Sequence, residues 1–243
     1  MIDTHFKYSN FGIMPTIFGV PTYTIFVGLG IIAGILYYLA GAEKGRSKSR
    51  GAIEIVSAAL IFGVIGSKIP LLIEGGDLKT IIFGKSILGG LIGGMLGVML
   101  IKRIMKIKTK MGNIIAPSAA LGMSIGRLGC FFNGCCFGKP ASWGVDFGDG
   151  ILRYPTQLFE AAFHLTAFFI LHQLKFKVKK PGILFKYYVL SYFVFRFFIE
   201  FIRENPIYYL GLTLYQLICI AGIIFVVSIM IINNKKEGAL NGR

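Results

Sequence analysis

The feature that most constrains this chain is an alternation. Long apolar runs follow one another, and Lys and Arg gather in every second linker between them. About 20 mostly apolar residues suffice to cross a bilayer as a helix. Seven segments approach or reach that length, at 20–40, 52–73, 86–101, 113–126, 155–174, 182–202 and 211–232. The third and fourth are short and glycine-rich, which predicts broken or tilted helices there. Linker 41–51 carries Lys44, Arg46, Lys48 and Arg50, and linker 102–110 carries Lys102, Arg103, Lys106, Lys108 and Lys110. Linker 175–181 adds Lys175, Lys177, Lys179 and Lys180, and the tail adds Lys235, Lys236 and Arg243. The intervening linkers hold fewer basic residues and mix them with Glu74, Asp77, Asp146, Asp149 and Glu204. Basic residues flank the cytoplasmic ends of transmembrane helices. The alternation therefore predicts an all-α integral membrane protein of seven transmembrane helices, with the N-terminus outside and the C-terminus cytoplasmic.

Composition agrees: 55% of the 243 residues are hydrophobic, too many for a soluble domain of this size to cover with polar surface. A net charge of +15 would by itself suggest a nucleic-acid partner. The charges lie in short clusters between apolar runs instead of along one basic face, so no nucleic-acid partner is expected. The first span lacks a preceding basic region and has its basic cluster after it, unlike a cleaved signal peptide. Segment 127–154 is too polar to span and predicts a small extracytoplasmic head on a single membrane domain covering 1–243.

Ionisable groups inside spans are costly and usually mark a site. Tyr192, Arg196, Glu200 and Arg203 follow one another at spacings of four, four and three, which puts them on one helix face. Gln157, Glu160 and His164 do the same at spacings of three and four. Arg127 closes the fourth span. With a rise of about 1.5 Å per residue, Glu160 and Arg196 each lie roughly 8–10 Å inside the outer boundary. Arg196 and Glu200 read as a structural ion pair or as part of a site, whereas Arg203 alone reads as a side chain snorkelling to the interface. Three arginines against two glutamates leave positive charge, which an anion such as a phosphate would neutralise bidentately.

Two further features leave alternatives open. The run Gly84-Lys85-Ser86-Ile87-Leu88-Gly89-Gly90-Leu91-Ile92-Gly93-Gly94 suits close helix packing or backbone N–H groups presented to an anion. Cys130, Cys135 and Cys136 lie together in the sequence, with Cys219 alone in the last span. The three neighbouring thiols fit a Cys130–Cys135 disulfide or a thiolate favoured by Arg127. A tetrahedral zinc site lacks its fourth protein ligand, so no metal is expected.

At these residues the chain resembles the prolipoprotein diacylglyceryl transferases. Their signature reads G-R-x-G-N-F-x-N-x-E-x-x-G, and Gly126-Arg127-Leu128-Gly129, Phe131, Asn133 and Gly138 stand in register with it. Pro155-Thr156-Gln157-Leu158-Phe159-Glu160 is similar to P-[ST]-Q-L-Y-E. Tyr192 and Arg196-Phe197-Phe198-Ile199-Glu200-Phe201-Ile202-Arg203 resemble the family's tyrosine and R-F-x-x-E-F-x-R. Gly89-Gly90-Leu91-Ile92-Gly93 matches H-G-G-L-I-G, and Tyr23 looks like the tyrosine of the first span. Three positions depart: Leu88 stands where the family has histidine, Cys130 replaces the signature asparagine, and Cys135 replaces its glutamate. None of His5, His164 and His172 is placed by sequence to take over the missing imidazole.

The resemblance implies transfer of a diacylglyceryl group from phosphatidylglycerol to the lipobox cysteine of a prolipoprotein, in the plasma membrane of a bacterium and with no cofactor. Membrane lipids and prolipoprotein signal peptides would be the partners. Arg127, Arg196 and Glu200 would carry the chemistry together with Cys130 and Cys135, one of which as a thiolate would serve as base or nucleophile where the family histidine is absent. Tyr23, Asn133, Gly138, Gln157, Glu160, Tyr192, Arg203, Gly89 and Gly90 would bind substrate. The departures leave two rivals: a divergent relative acting on another lipid or acceptor, and a non-catalytic phospholipid-binding or lipid-translocating protein.

Overall fold

A computed structural model describes residues 12–44, 52–75, 78, 86–107 and 112–241. Much of two basic linkers, at 45–51 and 108–111, lies outside the described residues, as do His5, Asp77, Gly84, Lys85 and Arg243. Among the described residues the apolar runs form seven α-helices: α1 Thr22–Lys44, α2 Ala52–Ile73, α3 Ile87–Ile104, α4 Gly112–Phe132, α5 Thr156–Lys177, α6 Ile183–Ile199 and α7 Leu214–Asn241. Four contain a stretch long and apolar enough to cross a membrane: Thr22–Gly41, Glu54–Ile73, Gly112–Phe132 and Leu214–Asn233. Many of their large apolar side chains are exposed, as with Ile32, Leu36, Ile61, Val64 and Ile224. Such a surface suits lipid, where helices satisfy their own backbone groups and need no polar coat. The chain is a multi-pass helical membrane protein.

In lipid, helices gain little from the hydrophobic effect on meeting and depend on close packing. Glycine supplies it at two crossings. A Cβ on Gly66 of α2 would fall 2.7 Å from the Cα of Gly93 on α3, and one on Gly122 of α4 would fall 2.8 Å from the carbonyl of Gly30 on α1. The predicted break in the third span does not occur: α3 is one continuous helix, capped at its start by the Ser86 side chain, which accepts from Gly89 N. Its glycines form the flat face on which α2 rests. Helix α4 is central, packing on α1, α5 and α6, while α6 also packs on α7. The core between them holds Leu88, Ala116, Ala120, Leu184, Tyr188, Tyr192, Phe193, Tyr215 and Cys219.

The two ends of the bundle differ. One carries three short antiparallel hairpins: β1 Thr16–Ile17 with β2 Val20–Pro21, β3 Pro140–Asp146 with β4 Leu152–Arg153, and β5 Ile207–Tyr209 with β6 Leu212–Thr213. Backbone bonds stitch them to the helix ends, Met14 N to Phe132 O at 3.0 Å and Lys139 N to Ile202 O at 2.8 Å. At the opposite end Asn113 holds the lysine-rich 178–181 connection, donating to Val178 O and Lys180 O and accepting from Leu184 N. The polar segment 127–154 does form a small head built on β3 and β4, but it begins later than expected. Helix α4 runs on to Phe132, because Gly126 and Gly129 lean on α1 instead of ending the helix.

Candidate functional site

The hairpin-capped end is where the buried charge collects. On α6 and at the start of the turn that follows it, Tyr188, Tyr192, Arg196 and Glu200 recur every four residues and form one buried stripe. The helix tightens into a 3-10 turn at Glu200–Ile202, closed by Arg203 N donating to Glu200 O at 3.1 Å, and this returns Arg203 to the same side. Pro155 precedes α5, whose first two turns bury Thr156, Gln157, Glu160 and His164. Arg127 lies on the last turns of α4, one turn before Cys130.

Two carboxylates bind these elements together. Arg127 Nη2 pairs with Glu160 Oε2. Arg203 Nη1 is 3.2 Å from Glu160 Oε1, and Arg196 Nη1 lies 4.0 Å from that oxygen and 2.5 Å from Glu200 Oε2. Arg203 Nε completes the web 3.7 Å from Glu200 Oε2. Tyr192 Oη donates to Glu160 at 3.3 Å, while Asn205 Nδ2 and Thr213 Oγ1 donate to Glu200 Oε1 at 2.5 and 2.9 Å. All five ionisable side chains of the web are at most 6% exposed. Burying an ion costs several kcal/mol unless partners compensate it. The carboxylates compensate two of the three guanidinium groups, so the formal charges of the web sum to +1. Among the described residues, buried Arg127 Nε and Gln157 Oε1 have no hydrogen-bond partner.

Several expectations change here. Arg203 does not snorkel to the interface; it is buried, bonded to Glu160 and, at 2.9 Å, to the carbonyl of Cys136. His164 is fully buried, with Nδ1 2.9 Å from Tyr188 Oη and its ring 4.8 Å from that of Tyr192. It therefore stands one side chain away from Glu160, while Leu88 is core. Asn205, Thr213, Gln216 and Tyr215 were not anticipated. Thr213 and Gln216 form a capping box at the start of α7: Gln216 N donates to Thr213 Oγ1, and Thr213 N to Gln216 Oε1. Thr-x-x-Gln before an apolar run is the sequence signal for that arrangement. Tyr215 lies within it and places its ring 5.4 Å from the Arg196 guanidinium.

Gly89 and Gly90 resolve toward packing. Their N–H groups are bonded to Ser86 Oγ and Ser86 O, and their outer faces meet α2, so neither presents a free donor to an anion. Gly138 serves by close approach, pairing with Arg203 across a backbone bridge where a Cβ would come 2.6 Å from Ile202 O. Asn133 ends α4, its N–H donating to Gly129 O. Tyr23 reaches the site from α1, within electrostatic reach of Arg127 and of Cys130, Cys135 and Cys136.

Those three cysteines form no disulfide among the described residues, and their Sγ atoms all lie within 4.8 Å of one another. Cys130 belongs to α4, and Cys135 and Cys136 to the turn after it. Cys136 adopts a left-handed φ of 64°, which costs a residue with a Cβ about 1–3 kcal/mol. Carbonyl clamps hold it there: Arg203 and Thr156 donate to Cys136 O, and Gln157 to Cys135 O at 2.7 Å. The hydrogen bond with Cys130, then that with Cys136 and burial, push the Cys135 thiol well above the ordinary thiol range. These causes favour the protonated form of the thiol. The head is fastened separately by Arg153, which bonds Asp149 and Glu204 and lies 4.7 Å over the Phe137 ring.

Comparison with known proteins places this geometry in context. The family model for prolipoprotein diacylglyceryl transferase matches residues 12–232. A phosphatidylglycerol–prolipoprotein diacylglyceryl transferase of Clostridium tetani is 35% identical over 209 residues, covering 76% of this chain and 81% of the relative. One from Geobacter sulfurreducens is 37% identical over 204 residues, covering 72% and 75% respectively. One from Finegoldia magna is 30% identical over 237 residues, covering 91% and 95%.

Proposed function

This chain belongs to the prolipoprotein diacylglyceryl transferase family, and from that premise we propose how it transfers a diacylglyceryl group from phosphatidylglycerol to the lipobox cysteine of a prolipoprotein. Arg127 and Arg196 bind the lipid phosphate. The acceptor sulfur forms a bond to the diacylglyceryl carbon as the bond from that carbon to the phosphate oxygen breaks. Glycerol phosphate leaves and takes up the thiol proton, and the product is a thioether. Negative charge growing on the leaving phosphate falls between guanidinium groups already fixed in place, so they need not reorganise as it develops. Glu200 orients Arg196, and Glu160 orients Arg127 and Arg203. Tyr192, Tyr23, Gln157, Asn133 and Gly138 shape the headgroup pocket, and Cys130 and Cys135 line the same pocket. The observation that carries this reading is the surplus guanidinium charge in a buried web.

The hairpin-capped end faces away from the cytoplasm in this reading, and all seven helices cross the plasma membrane of a bacterium. Prolipoprotein signal peptides and membrane lipids reach the site from within the bilayer. Leu88, in the place of the signature histidine, favours a second reading in which the same web serves a divergent transferase with another lipid or acceptor.

Two measurements test the proposal. Expressed in cells depleted of their own transferase, the chain is expected to restore growth and lipoprotein modification. Failure to do so with the protein folded in the membrane would move the assignment to the second reading. In a background without native cysteines, a single cysteine in 175–181 is expected to resist an impermeant thiol reagent in intact cells, whereas one in 146–151 reacts. The reverse pattern would invert the orientation.

A further inference from the structure

We propose that Cys130, Cys135 and Cys136 form a three-coordinate site for a soft monovalent metal ion, Cu(I), at the hairpin-capped end of the bundle. The geometry is the first argument. Metal–thiolate bonds of about 2.3 Å arranged in a trigonal plane separate the sulfurs by about 4.0 Å. The three Sγ atoms already lie within 4.8 Å of one another, so a shift of less than an ångström per sulfur closes the set. The second argument is preorganisation. The strained turn at Cys136 is fixed through its backbone carbonyls, by Arg203, Thr156 and Gln157, none of which uses a sulfur to do so. The turn is thus held by its carbonyls, and the Cys135 thiol adds only a long contact to Cys130 O, at 3.7 Å, which an ion binding the sulfur would replace.

The chemistry of the donors selects the ion. Thiolates are soft ligands that favour Cu(I) and zinc over hard cations. Zinc requires a fourth ligand, and among the described residues no His, Asp or Glu joins the three sulfurs. Cu(I) is complete with three. Binding breaks the S–H bonds heterolytically, releases the protons to solvent and forms copper–sulfur bonds with no change in oxidation state. The tris-thiolate so formed is anionic, and Arg127 lies within electrostatic reach of Cys130 and Cys136 to offset it. Cys130 is buried and Cys136 is only partly so, which leaves an approach for the ion at Cys136. Because Gln157, Thr156 and Arg203 clamp the same turn, an ion seated on the sulfurs acts directly on residues of the anion web.

The test uses the full chain in detergent, reduced and kept anaerobic, with Cu(I) supplied against a competing chelator. One ion per chain is expected. Each of Cys130→Ser, Cys135→Ser and Cys136→Ser should weaken binding by more than about 100-fold, since even loss of an outer-shell partner costs about 10–100-fold. Cys219→Ser, in the core of α7, should change nothing. A second measurement needs no variant: in the unsubstituted protein, Cu(I) should protect these three cysteines from alkylation together, read by mass spectrometry. Sub-stoichiometric binding, affinity that survives loss of any one of the three, or a pair already joined as a disulfide in the purified protein would overturn the proposal.

Discussion

Replacing Glu160 by alanine should cost the folded protein about 3–5 kcal/mol, the penalty for leaving buried charges without their partner. Glu160 is the shared counter-ion of three guanidinium groups: it faces Arg127 from α4, Arg196 from α6 and Arg203 beyond the end of α6. Without it three guanidinium groups would share Glu200 alone, and the web would carry a formal charge of +2. Glu160→Gln keeps the shape and the hydrogen bond from Tyr192 but not the charge, so it should recover little. Glu200→Gln should cost less, because Arg203 keeps Glu160 and the carbonyl of Cys136. The measurement is resistance to thermal unfolding and to protease in detergent, with and without added phosphatidylglycerol. A Glu160→Gln protein within 0.5 kcal/mol of the parent would show that packing, not charge, holds the end of the bundle.

How much of this was legible beforehand follows from the range of each interaction. Contacts within one helix were readable, since spacings of three and four fix which side chains share a face. Thus Tyr192, Arg196 and Glu200 were aligned correctly, as were Gln157, Glu160 and His164. Contacts between helices were not. Nothing local to His164 says that Tyr188 will meet its Nδ1, and nothing local to Arg203 separates an interfacial arginine from one bent inward by a 3-10 turn. The glycine run was ambiguous for a related reason. Its composition suits packing and anion binding equally, and only the partners of the Gly89 and Gly90 N–H groups separate the two. Cys130 was assigned to the head because segment 127–154 is too polar to span, whereas α4 runs on to Phe132 with Gly129 packed against Phe26 of α1. The hairpins at β1–β2 and β5–β6, two or three residues to a strand, are too short to show an alternating pattern.

The sharpest consequence for function lies with Arg196 and Arg127. A hydrogen bond to a charged group is worth about 1.5–3 kcal/mol, so each arginine removed should weaken phosphatidylglycerol binding by about 10–100-fold. Arg196→Lys keeps the charge but loses the planar fork, and an ammonium cannot bind Glu200 and a phosphate in the same plane. It should therefore fall well below the parent, and Arg196→Gln lower still. Arg127→Gln should match Arg196→Gln in binding, and both should lower turnover by about 100-fold or more, the scale for removing a fixed donor to a developing charge. Loss of binding through general damage is the competing explanation, because Arg196→Gln also strips Glu200 of its closest partner. Two controls separate them. The double change Arg196→Gln with Glu200→Gln removes both charges of the pair and should restore stability without restoring phospholipid binding. Diacylglycerol, which has the same acyl chains and no phosphate, should bind parent and variants alike. If Arg127→Gln and Arg196→Gln proteins hold phosphatidylglycerol as tightly as the parent does, the phosphate lies elsewhere and the buried web is structural.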